Sequence, residues 1–318
     1  MKKVLVTGGA GFIGSHLCEL LLKKGHSVIA VDNLSLGRIE NISFLQENQQ
    51  FNFERVDILD KLSFSKVFNR YNIDTIFHFA ANSDISQSHT IPSIDLNNTF
   101  LTTMAVLENA RINNVSEIVF ASTSAIYGDT KDVLTEDYGP LKPVSHYGAG
   151  KLASEAFLYS YSSNYNIKIW IARFPNVVGE RATHGVIYDF INKINKDPEI
   201  LEVLGNGLQT KPYIYVKELV DALLFIWNNS NDLVNVYNIG VDSQTKVHEI
   251  AQMVIDEMKT NTKINYLGGD RGWIGDVPTF KYNHGKIEKL GWKPSHTSNE
   301  AVRMAIRQIL LNKSNLNF

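Results

Sequence analysis

The run Val4-Leu5-Val6-Thr7-Gly8-Gly9-Ala10-Gly11-Phe12-Ile13-Gly14 limits what this chain can fold into more than any other stretch. Aliphatic and β-branched residues lead into glycines at 8, 11 and 14, and an apolar helical pattern begins directly behind them. A strand must therefore turn sharply into a helix. Glycine permits the tight turn, lets backbone N–H groups approach a pyrophosphate, and allows the helix to pack close to the strand. At the start of a βαβ unit, such a loop is the phosphate cradle of a dinucleotide-binding domain. It nominates Gly8, Gly11, Phe12, Ile13 and Gly14 as cofactor residues.

The pattern continues along the chain. Short apolar runs at Lys3 to Thr7, Ser27 to Asp32, Phe51 to Asp57, Thr75 to Ala80, Glu117 to Ser122 and Lys168 to Phe174 read as strands. Helical spacing falls between most of them, at Ser15 to Lys24, Ser63 to Tyr71, Asn98 to Asn113 and Tyr147 to Asn164. Alternating strands and helices predict an α/β fold, a Rossmann-type doubly wound parallel sheet. After Phe174 the rhythm breaks into Gly, Asn and Pro clusters, which predicts a smaller, discontinuous substrate lobe. The expected NAD-binding domain is 1–177, with 213–240 returning to it; 178–212 and 241–318 mainly form the lobe.

Net charge is −2, with 31 basic against 33 acidic residues, so no global field draws the chain to nucleic acid or an anionic membrane. An anionic ligand needs a local site. No run of about 18 apolar residues predicts a membrane span. The single cysteine, Cys18, excludes an internal disulfide and a cysteine-based metal site, and fits a reducing, cytoplasmic setting. No metal site is predicted.

Asp32 ends the second strand, where a carboxylate would accept hydrogen bonds from the adenosine ribose and repel a 2′-phosphate, favouring NAD over NADP. Asn33 follows it, and Asp57 with Ile58 at the third strand end is placed for the adenine edge. Tyr147 and Lys151 lie four apart at a helix start and so share a face. The lysine ammonium and a cationic nicotinamide would favour the phenolate of Tyr147 over the phenol. Thr123, with Ser124 as second choice, leaves the fifth strand at its carboxyl end, where a hydroxyl can relay a proton to Tyr147.

With these residues in place, the sequence resembles the extended short-chain dehydrogenase/reductase family, in its nucleotide-sugar epimerase and dehydratase group. The residues 7–14 match that family's cofactor loop, His78-Phe79-Ala80-Ala81 its fourth-strand motif, and Tyr147 with Lys151 its catalytic motif. Ala80 thereby joins the NAD set, as do Tyr147 and Lys151. Asn98 with Thr102 looks like the family's asparagine and threonine on the helix after strand four. Arg173-Phe174-Pro175-Asn176 resembles the segment whose asparagine meets the substrate diphosphate. Lys211 stands where the family usually carries Arg-Asp, and Arg271 lies two residues upstream of the family's diphosphate-binding arginine. The resemblance implies a nucleotide-diphosphate sugar as substrate and a homodimer paired through the helices 98–113 and 147–164.

Relatives that dehydrate sugars carry Thr-Asp-Glu at the end of strand five, and here the run is Thr123, Ser124, Ala125. Lacking both carboxylates, the chain looks like the NAD-dependent 4-epimerases. The alternative is a 4,6-dehydratase drawing its acid and base from elsewhere, for instance Asp84 or Glu180.

Overall fold

The computed structural model describes residues 1–83, 85–272 and 277–315. Strands β1 (Lys3–Thr7), β2 (Ser27–Asp32), β3 (Phe51–Arg55), β4 (Thr75–His78), β5 (Glu117–Thr123), β6 (Lys168–Phe174) and β7 (Val234–Asn238) form one sheet. Its order is β7-β6-β5-β4-β1-β2-β3. β1 runs parallel to both neighbours, with Val4 opposite Val28 on β2 and Thr75 on β4. The order reverses at β1, and in open α/β sheets the ligand crevice lies outside the carboxyl ends of the strands at such a reversal. Gly8 and Phe79 follow the two strands that flank it.

Continuous apolar runs form these strands because helices cover the sheet and leave no solvent face. Leu5, Ile29, Ile76, Ile118, Phe120, Ile169 and Ile171 are fully buried and join Phe64, Val67, Leu107 and Leu158 from the helices Lys61–Arg70, Thr102–Ile112 and His146–Tyr165. Capping residues fix where two of those helices begin. Asp60 accepts from the Ser63 N–H, and Ser145 from the Gly148 N–H. Such a cap contributes about 1 kcal/mol, and the second one places Tyr147 in the first turn and Lys151 one turn later.

Contacts divide the chain into two compact units. The first holds Met1–Ile126, Ser145–Arg173 and Val220–Tyr237 and contains nearly all of the sheet. The second holds Tyr127–Val144, Phe174–Leu219 and the chain from Asn238 onward. In it Asn176–Val178 pairs with Tyr213–Tyr215, and Ile200–Val203 with Lys263–Tyr266. The boundaries read from sequence place 127–144 with the sheet. The structure assigns it to the second unit because Val133–Leu134 pairs with Lys281–Tyr282 and the Tyr127 hydroxyl donates to Asn238 at 2.7 Å.

Candidate active site

The glycine loop is closed to side chains. Gly8 has φ +69°, and a Cβ there would stand 2.8 Å from the Ala80 nitrogen. A Cβ on Gly14 would stand 2.1 Å from the Gly8 carbonyl oxygen, so only glycine fits. Thr7 joins this loop to the end of β4, its hydroxyl accepting from the Phe79 and Ala80 N–H groups at 3.2 Å each. The Asp32 carboxylate closes the other side, accepting from Ala10 N–H at 3.0 Å and Leu34 N–H at 2.8 Å. Burial nevertheless raises its pKa above the usual carboxylate value, because desolvation outweighs those hydrogen bonds. Asn33 donates to Asp57 at 3.1 Å, and Ile58 is buried beside them. Phe12 and Ile13 are half-buried in the first turn behind the loop. A glycine backbone without room for Cβ atoms, next to a fixed carboxylate at a strand end, fits a dinucleotide.

At the end of β5 the Thr123 hydroxyl lies against the Tyr147 phenol and draws its pKa downward. Burial outweighs this and raises the phenol, with the Asp95 carboxylate adding to the rise. The expected preference for phenolate is therefore absent from the protein's own charges. Lys151 is 2% exposed, donates to the Ala121 carbonyl at 2.6 Å, and sits 5.9 Å from the Tyr147 ring centre. Desolvation lowers its pKa to about 7, against the opposing pull of Asp95 and Glu155. Ser124 is half-buried in the short turn that follows Thr123.

Asp95 was missed by sequence reasoning. It is 1% exposed; one carboxylate oxygen takes hydrogen bonds from Asn82 at 3.1 Å and Thr99 at 3.0 Å, and the other has no partner among the described residues. The helix before residue 102 explains the miss, since Leu96–Leu101 forms a π-helical turn. Such a turn admits an extra residue and rotates the following face. Asn98 is exposed, while Thr99 and Thr103 point inward with Asn82 and His78. The signal was a polar residue at every fourth place, Asp95, Thr99 and Thr103.

In the second unit Asn176 is exposed on its short strand, and Lys211 is half-buried opposite Thr245. The Arg271 guanidinium donates to Asp129 at 2.6 Å. Glu180 is buried and engaged by the Tyr215 hydroxyl at 2.7 Å and the Lys217 ammonium at 2.8 Å, which removes it as a free acid or base. Asp84 lies outside the described residues.

Residues 4–240 match the family model described as NAD dependent epimerase/dehydratase. The chain belongs to this family. NAD is thus the cofactor. A protein of Methanocaldococcus jannaschii provisionally named a UDP-glucose 4-epimerase is 33% identical over 308 residues, covering 95% of this chain and 97% of that one. The dTDP-D-glucose 4,6-dehydratase of Homo sapiens is 28% identical over 96% of this chain and 89% of its own. A crystal structure of a UDP-galactose 4-epimerase superposes with a TM-score of 0.86 at 36% identity, covering 98% of this chain and 99% of that one. Both activities of the epimerase/dehydratase family are thus represented among its relatives. No helix among the described residues is long and apolar enough to cross a membrane.

Proposed function

We propose that the protein is a nucleotide-diphosphate-sugar 4-epimerase, an isomerase that oxidises C4 of the sugar transiently and restores it with inverted configuration. The observation carrying this reading is the end of β5, where Thr123 and Ser124 offer hydroxyls, and the run through Ala125 no carboxylate, to the region of Tyr147. Epimerisation needs one group to remove and return the proton of the 4-hydroxyl. Dehydration needs an additional acid and base for loss of water.

Gly8, Gly11, Gly14, Asp32, Asn33, Asp57, Ile58, Ala80 and Lys151 would hold NAD, which would supply a reversible acceptor for the hydrogen at C4. Tyr147 removes the 4-hydroxyl proton and returns it when the alcohol re-forms. Thr123 holds the reacting hydroxyl and relays its proton, with Ser124 as a weaker substitute. Lys151 steadies negative charge on the phenol. Asn176, Lys211 and Arg271 hold the diphosphate, Arg271 by exchanging Asp129 for a phosphate oxygen and Lys211 as a point charge.

The 4,6-dehydratase remains the competing reading, and one observation favours it, since Asp95 places a buried carboxylate close enough to perturb both Tyr147 and Lys151. Incubation with UDP-, GDP-, CDP- and dTDP-sugars without added cofactor, followed by mass spectrometry and NMR, separates the two. A product of unchanged mass with inverted C4 is expected. A product lighter by one water would establish the dehydratase instead.

A further inference from the structure

Beyond the glycine loop and the β5 end, the second unit holds a cluster of opposite character. His284 precedes the short helix Gly285–Leu290, Glu288 lies one turn into that helix, and Asp242 follows β7 on a separate segment. The imidazole is 2% exposed, and neither ring nitrogen has a hydrogen-bond partner among the described residues. A buried imidazole left in that condition costs free energy, so native proteins usually satisfy it. Its Nε2 points at two carboxylate oxygens, Asp242 Oδ1 and Glu288 Oε1, each at 3.6 Å.

That separation is too long for a hydrogen bond, which closes at about 2.7–3.2 Å. It suits a shared ion. Ligand atoms about 2.0–2.1 Å from a tetrahedral zinc lie roughly 3.4 Å from one another. All three candidate ligand atoms fall within 4.8 Å of one another. One imidazole and two carboxylates are the donor set of zinc and similar first-row divalent ions, whereas calcium and magnesium prefer all-oxygen shells of six or more.

The backbone on both sides is held before any ion arrives. Asn283 N–H donates to the Leu134 carbonyl at 3.0 Å, and the Asn238 amide donates to the Asn283 carbonyl at 3.0 Å. Beside Asp242, the Ser243 hydroxyl accepts from the Ser298 N–H at 2.7 Å. Only the carboxylate side chains must adjust. Asp242 is 88% exposed, which leaves an entry path and room for water as the fourth ligand.

We propose that Asp242, His284 and Glu288 bind a divalent transition-metal ion, zinc being the best match, as a structural staple between the segment after β7 and the helix Gly285–Leu290. The site is independent of the proposed reaction at Tyr147. Zinc chloride added to metal-stripped protein is the probe, read by calorimetry, by metal content after dialysis, and by melting temperature. One equivalent should bind, the melting temperature should rise by several degrees, and Asp242→Asn and Glu288→Gln should each weaken binding at least tenfold and remove the rise. Asp242 is exposed, so its variant tests the site even where His284→Gln fails to fold. Absence of binding by the parent protein, or affinity unchanged in either carboxylate variant, overturns the proposal.

Discussion

Tyr147 can act as a base only if its phenol ionises, and burial together with the Asp95 charge pushes it the wrong way. Lys151, lowered to about 7, carries only part of its charge at neutral pH. On the proposed mechanism, ionisation needs a further positive charge, which the nicotinamide of bound oxidised NAD would supply. Tyr147→Phe should keep the fold and NAD binding and lose about 10²- to 10⁴-fold in turnover, the usual cost of removing a positioned base. Thr123→Val should lose less, since Ser124 or water can relay, while Lys151→Met should also weaken NAD binding. Wild-type turnover in Tyr147→Phe would end this mechanism. The residue types and spacing of this set were legible in the sequence; the sign of the electrostatics was not, because it depends on burial and on Asp95, brought in from another segment. His78 gives a second residue-scale test. It is fully enclosed between Thr7 at 2.7 Å and Thr103 at 3.0 Å, and burial lowers its pKa to about 3. Between that value and the ordinary 6.5 the unfolded chain holds the extra proton, so stability is lost as pH falls below about 6.5, by at most about 1.4 kcal/mol per unit from this group. Urea unfolding at pH 6.5 and 5 should show a smaller loss for His78→Gln than for the parent, and equal losses would contradict the assignment.

Elements carried the sequence pattern faithfully where their geometry is regular. The loop between β1 and the helix Phe12–Lys23 demands glycine for reasons visible in one dimension, and the structure supplies the distances. Gly14→Ala would drive a methyl to 2.1 Å from the Gly8 carbonyl, a collision with backbone that no side-chain rotation relieves. The loop must open, so NAD affinity measured by calorimetry should drop at least tenfold and melting temperature should fall; retention of both would mean that the loop is softer than its contacts indicate. Leu96–Leu101 forms a π-helical turn, which breaks the 3.6-residue period on which helical spacing rests. Such a turn follows from packing, here of Gly150 against Asp95 and Thr99, where a Cβ would find neighbours at 3.3 Å. Propensity alone does not encode it.

At the scale of the whole molecule, the alternation of strands and helices sufficed to read the sheet, while the second unit escaped accurate bounding because its two-stranded pairs join residues far apart in sequence, as 133–134 with 281–282. Association of two copies is likewise a property of surfaces rather than of periodicity. On the first unit, Leu101, Ile112, Phe157 and Tyr165 remain 39–59% exposed along neighbouring helices, and Phe100 and Phe157 meet edge to face at 5.4 Å. Leaving these side chains in water forfeits about 25 cal/mol for each Å² of apolar surface that a second copy could cover. Both helices pack side by side on the sheet, so a twofold axis between two such pairs would bury the same patch on each copy, as an isologous interface requires. The protein should therefore run as a homodimer in light scattering at micromolar concentration. Phe157→Asp, which places a charge among these exposed apolar side chains without touching the sheet core, should shift it to monomer while leaving far-UV circular dichroism unchanged. A monomeric parent, or a variant that dimerises as the parent does, would place any self-association elsewhere on the surface.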